Sequence, residues 1–255
     1  MTVPALRSID RARRGDSLPA MPFTTTTLRF LRGLARNNRK PWFDAHRAEY
    51  EAVLQAPMRE LIEEMDARLA RFAPEIIGDP RRSMFRIYRD IRFSKDKSPY
   101  KTHAACWLYH RDGSRAVGRD AAGAGAGFYF QIAPGTCFVG GGMWMPPREA
   151  LHRLRDAIAE DPRRFERIVT DRRVARRFGG LSDEAMLTRV PRGYAADHPA
   201  ARWLRFQSFT LGRALTNAQA VSARLPALLE ADFRLMVPLV RWINGVLGLK
   251  ATERR

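Results

Sequence analysis

Residues 84–93, MFRIYRDIRF, decide how the rest of the chain is read. Phe85, Ile87, Arg89, Ile91 and Phe93 fall on one parity, and Arg86, Tyr88, Asp90 and Arg92 on the other. A two-residue period is that of a half-buried strand, because successive side chains leave a pleated backbone on opposite faces. Before Pro74 the apolar residues recur instead at helical spacing, so the architecture changes here. Downstream come a Lys-rich loop over 94–102, an expected strand over 103–110, an Asp112-Gly113 turn and a Gly/Ala run over 121–127. Expected strands at 128–133 and 137–144 flank a Pro134-Gly135 turn, and 207–211 is a candidate fifth. Connections this short suit antiparallel neighbours, since parallel ones need a crossover of about a dozen residues or more.

On the other side of the stretch, Thr24–Thr27 can cap a helix carrying Phe30, Leu31 and Leu34 that ends near Asn37 and Asn38. Pro41 suits the first turn of a second helix with the stripe Trp42, Phe43, His46, Tyr50, Val53 and Leu54. Pro57 opens a third, with Met58, Leu61, Ile62, Met65, Leu69 and Phe72 on one face. Beyond the strands, Pro147 and Asp161-Pro162 each begin a helix, and Gly179-Gly180 is a stop. From about Thr216 the pattern is two helices, or one bent at Pro238. Helices, then strands, then helices make an α+β fold: an antiparallel sheet of four to five strands flanked by N-terminal and C-terminal helices. Residues 1–22 show no periodic pattern and read as a flexible tail, which leaves 23–249 as one domain.

Composition is that of a folded protein, 45% hydrophobic and 28% charged over 255 residues. The charge balance is unusual: 45 Lys and Arg against 27 Asp and Glu give a net +18. Nearly all of the excess is Arg, whose planar fork grips phosphate or carboxylate bidentately. Cys106 and Cys137 are too few for a disulfide framework, and no Cys/His spacing suggests a metal, so none is expected. The longest apolar stretch, 235–240, contains Pro238 between Arg234 and Arg241, so no membrane span is expected. With no readable export signal, a cytoplasmic location is the default expectation. The Gly123, Gly125, Gly127 series precedes a strand, whereas a dinucleotide fingerprint follows one, so it reads as a hairpin loop. Nothing identifies a cofactor or the oligomeric state.

One third of the net charge lies in residues 81–103, where Arg81, Arg82, Arg86, Arg89, Arg92, Lys95, Lys97 and Lys101 face only Asp90 and Asp96. Arg86, Arg89, Arg92, Ser94, Lys95, Lys97 and Lys101 are the candidate ligand-binding residues. Parity points Arg89 inward, where a guanidinium needs an acid; Asp44, Glu49 and Glu63 are the candidates. Tyr88, Phe93, Tyr100 and His103 interleave with the cations and offer faces for bases and hydroxyls for phosphate oxygens. His46, on an apolar helix stripe, reads as a satisfied core histidine.

The run Arg86-Ile-Tyr-Arg-Asp-Ile-Arg-Phe-Ser-Lys-Asp-Lys-Ser-Pro-Tyr-Lys-Thr-His103 resembles the signature of a bacterial and fungal family, domain of unknown function 2461. Asn37-Asn38-Arg39-Lys40-Pro41-Trp42-Phe43, Gly140-Gly-Gly-Met-Trp-Met-Pro146, Pro191-Arg-Gly-Tyr194 and Asp197-His198-Pro199 fit the same family. The resemblance implies one domain from about Phe23 to Leu247 and carries no activity with it.

Three readings of the cluster compete. In the first, the strand and loop cradle a phosphate-bearing anionic ligand or nucleic acid. In the second, an enzyme holds an anionic substrate on its cations while Asp90, Tyr100 or His103 moves a proton. In the third, the cations tie sheet to helices through internal carboxylates. Like charges gathered together repel unless an anion belongs among them, which favours the first.

Overall fold

The computed structural model describes residues 23–92 and 94–252. The expected tail, residues 1–22, and Phe93, expected to face inward, lie outside the described residues. Helix α1 (Thr25–Arg36) starts at Thr24, whose side chain accepts from the Thr26 amide while Thr27 bonds back to the Thr24 amide, and ends at Asn37. After α2 (Lys40–Ala45) and α3 (Arg47–Tyr50), a π-helical turn (Glu51–Gln55) leads straight into α4 (Ala56–Leu69). One carbonyl of the turn lacks its helical donor. Pro57 has no N–H to give to the carbonyl four residues back, that of Val53. Thr27 on α1 supplies the missing donor, its hydroxyl lying 2.7 Å from the Val53 carbonyl.

A single antiparallel sheet follows in sequence order: β1 (Ile76–Ile77), β2 (Ala104–His110), β3 (Gly127–Ile132), β4 (Cys137–Met143) and β5 (Phe209–Leu215). Cys106 opposes Phe130, Phe130 opposes Val139, and Phe128 opposes Gly141. These residues form the inner face, against α4 and the long α10 (Leu225–Val246). Phe233 of α10 stacks on Phe128 at 4.5 Å. Asn244 of α10 accepts from the Ala126 amide at 2.7 Å and donates to its carbonyl at 3.2 Å. Between β4 and β5 lie α5 (Arg148–Glu160), α6 (Pro162–Val169), α7 (Arg172–Phe178) and α8 (Ala201–Leu204), with α9 (Asn217–Ala220) after β5. The α+β architecture is therefore as expected, and α10 runs through Pro238 without ending there.

One expected element is different. Residues 84–93 form no regular strand among those described; the regular strand on that side of β2 is β1. The stretch is extended and runs antiparallel to 99–107, with isolated bridges Met84↔Cys106 and Tyr88↔Tyr100. From one bridge to the next, its own side advances four residues (84 to 88) and the partner side six (100 to 106). The two surplus residues are taken up by bends at Thr102 and His103, so the ladder breaks there and β2 starts at Ala104. Strict alternation fails for the same reason: Ile87 is in the core, while Phe85 lies on the outer face beside Tyr129.

Candidate functional site

The broken ladder makes an irregular hairpin. The Phe85 amide donates to the Ala105 carbonyl at 3.0 Å, Lys101 to Ile87 at 2.7 Å and Arg89 to Pro99 at 2.9 Å. Asn38, just past α1, holds its far arm: its side-chain amide donates to the Tyr100 carbonyl at 2.9 Å and accepts from the Tyr100 N–H at 3.0 Å. The Tyr100 ring, 2% exposed, stacks on Phe43 at 4.2 Å. Burial, then the neighbouring Tyr88, push its hydroxyl pKa up. Asn38→Ala would leave both backbone groups of Tyr100 without partners, an expected loss of about 2–3 kcal/mol. Urea denaturation reads that loss, and an unchanged midpoint would contradict the clamp.

At the hairpin tip the two arginines are engaged by carboxylates. Arg89 pairs with Asp96 and reaches Ser94 Oγ at 3.3 Å. Its partner is thus neither Asp44, Glu49 nor Glu63, and the side chain is 28% exposed rather than directed into the core. The shortfall follows from the broken ladder, which ends the alternation before Arg89. Arg92 bonds Asp90 through Nε at 3.0 Å and Nη2 at 2.6 Å and holds the Asp90 pKa down to about 2. Ser98, then Arg89, hold Asp96 well below the usual carboxylate range. Lys97 donates to the Ile91 carbonyl at 3.0 Å, while Lys95 is exposed.

At the hairpin base the chemistry changes. Arg86 is exposed, and the half-buried Lys101 ammonium lies 5.5 Å from the Phe85 ring centre. Neither has a carboxylate within ion-pair distance among the described residues; Asp90, already held by Arg92, is the acid that feels Arg86. Burial, then Arg86, lower the Lys101 pKa, and burial, then Lys101, lower that of His103, which is therefore neutral at pH 7. Like charges thus lie close together here with no acid in ion-pair distance among the described residues.

Thr102, between these two, lines a depression of about 400 Å³ with Arg32, Ala35, Arg36, Pro134 and Thr136. Arg32 and Arg36 are one turn apart on α1, exposed, and without an ion pair among the described residues. They were missed in the sequence, although a signal existed: α1 carries Arg29, Arg32 and Arg36 and no acid.

The proton-transfer candidates are not gathered. Asp90 is at the exposed tip on Arg92, Tyr100 is buried against Phe43, and His103 faces Lys101. The Nδ1–H of His46 donates to the Trp42 carbonyl at 2.8 Å, and its ring stacks on that of Trp42. Among the described residues no three His, Cys, Asp or Glu side chains are placed to hold a metal, and no helix is long and apolar enough to cross a membrane.

No curated protein and no solved structure matches the chain. A family model described as conserved hypothetical protein (DUF2461) matches residues 26–242, which takes in the Asn38 clamp, the hairpin, all five strands and most of α10. The chain belongs to the domain of unknown function 2461 family.

Proposed function

We propose that this protein binds a phosphate-bearing anion at the base of the hairpin, with Arg86 and Lys101 as the primary cations and the Arg32/Arg36 depression beside them. The observation that carries this reading is the contrast along one hairpin. At the tip, Arg89 and Arg92 each have a carboxylate; at the base, Arg86 and Lys101 have none in ion-pair distance among the described residues, and Lys101, half-buried, feels the charge of Arg86. Ser94, Lys95 and Lys97 then act as the frame of the loop and its solvated edge rather than as the primary contacts. An anion at the base removes the repulsion and gains charge-assisted hydrogen bonds.

Isothermal titration with inorganic tripolyphosphate tests the reading. Affinity is expected to fall steeply between about 50 and about 200 mM salt. Lys101→Ala is expected to weaken binding by about tenfold, whereas Arg92→Ala, whose side chain already holds Asp90, changes it less than about twofold. Absence of binding at the lower salt, or an Arg92→Ala loss as large as that of Lys101→Ala, would overturn it.

A further inference from the structure

The hairpin base opens onto the outer face of the sheet, and what lies there narrows the ligand. Cross-strand register sets Trp107, Tyr129, Gly140 and Gly212 in one row on this face, and Ala105, Gln131, Phe138 and Ala214 in the next. Three rings line up across it. Phe85 and Tyr129 have centres 6.2 Å apart, and Tyr129 and Phe138 6.4 Å. Phe138 is 38% exposed, a large apolar ring left open to water in the middle of a sheet. It is also fixed in place. A Cβ at Gly212 would stand 2.3 Å from Phe138 Cζ, and one at Gly140 2.9 Å from its Cε1, so the two glycines let the ring lie flat across β4 and β5. In the same row the buried indole N–H of Trp107, a residue 7% exposed, has no acceptor.

We propose that this face is a stacking platform for single-stranded nucleic acid: bases lie on Phe85, Tyr129 and Phe138 while Arg86 and Lys101 take the phosphates at the edge. The inference rests on the anion reading above and names its ligand. Charge complementarity selects a polyanion over an apolar partner, since Lys101, a cation without an acid in ion-pair distance among the described residues, lies against Phe85 itself and feels Arg86 beside it. The open ring faces select a single strand over a duplex. Bases within a duplex have both faces covered by their stacked neighbours, so only an unstacked single strand can offer a base face to each ring. Stacking on rings that are already held in place is tolerant of base identity and costs little ordering of the protein.

Fluorescence anisotropy with a labelled deoxythymidine 12-mer tests this, with a duplex of equal length and inorganic polyphosphate as competitors. The single strand is expected to bind tightest. Phe138→Ala should weaken it by roughly 5- to 150-fold, the effect of losing one base stack, and leave polyphosphate affinity unchanged. Phe138→Trp should retain binding, which separates loss of the ring from loss of folding, and thermal melts of both variants check the latter. Lys101→Ala should weaken strand and polyphosphate alike. If the duplex or polyphosphate competes as well as the strand, or Phe138→Ala leaves strand affinity unchanged, the platform is overturned while the anion reading stands. If neither strand nor polyphosphate binds at low salt, both fall.

Discussion

Gly142→Ala is expected to yield no stably folded protein. Gly142 has φ +124° on β4, opposite Thr210 of β5, and a Cβ there would stand 2.0 Å from the Phe209 carbonyl oxygen and 2.9 Å from the Thr210 Cα. Both obstacles are backbone, so no side chain can turn aside to make room. Relief requires parting the edge strand β5 from β4 and losing the ladder that holds it, and the left-handed φ adds its own strain for an L-residue. We expect a loss above about 4 kcal/mol, within the range reserved for such disruptions. Gly245→Ala is the control: its Cβ meets nothing within 4 Å in the exposed turn of α10, and the substitution is expected to be neutral or to stabilise by about 0.5–1 kcal/mol. Urea denaturation of both variants distinguishes them; a Gly142→Ala midpoint close to the parent's would contradict the β4–β5 register.

The second large effect concerns Asp232 on α10, which is wholly buried. Its two oxygens are taken by different arginines: Arg177 of α7 through Nε at 2.5 Å, and Arg213 of β5 through Nε at 3.0 Å and Nη2 at 2.7 Å. Asp232→Ala leaves both guanidiniums without their acid, and breaking a buried pair from one side costs about 3–5 kcal/mol. The two arginines do not suffer equally. The Arg177 side chain is 39% exposed and can turn to water, whereas that of Arg213 is 16% exposed and is stranded. Adding Arg213→Met to Asp232→Ala is therefore expected to recover a substantial part of the lost stability, and Arg177→Met much less. Equal recovery from the two would refute the assignment, and a double-mutant cycle supplies the comparison.

Elements governed by local chemistry were legible in the sequence. The Thr24 cap, the helix starts at Pro41, Pro57 and Pro162, the Pro134-Gly135 turn and the antiparallel sheet all follow from residues near one another in the chain. What escaped depends on distant partners. The alternation of 84–93 is real, but whether it becomes a regular strand depends on the two surplus residues at Thr102 and His103 on the opposite arm. Arg89 looked inward for the same reason, and its acid proved to be Asp96, seven residues away. The cations of the motif were found as a group, yet composition could not sort those holding a tip together from those without a carboxylate. That division needs the hairpin geometry. The aromatic row was equally hidden, because Phe85, Tyr129 and Phe138 meet only through the register of separate strands.

The hydroxyl of Thr27 standing in for the amide that Pro57 lacks has an evolutionary corollary. Any relative with an ordinary residue in place of Pro57 would refill the Val53 acceptor from within its own helix, and position 27 would then need only an acceptor for the Thr24 amide, which Glu or Gln supplies as well as Thr. Substitutions at these two sites, thirty residues apart, should therefore be correlated across the lineage. Members that keep the proline but lose the hydroxyl should be rare, and those that exist should carry a compensating donor nearby.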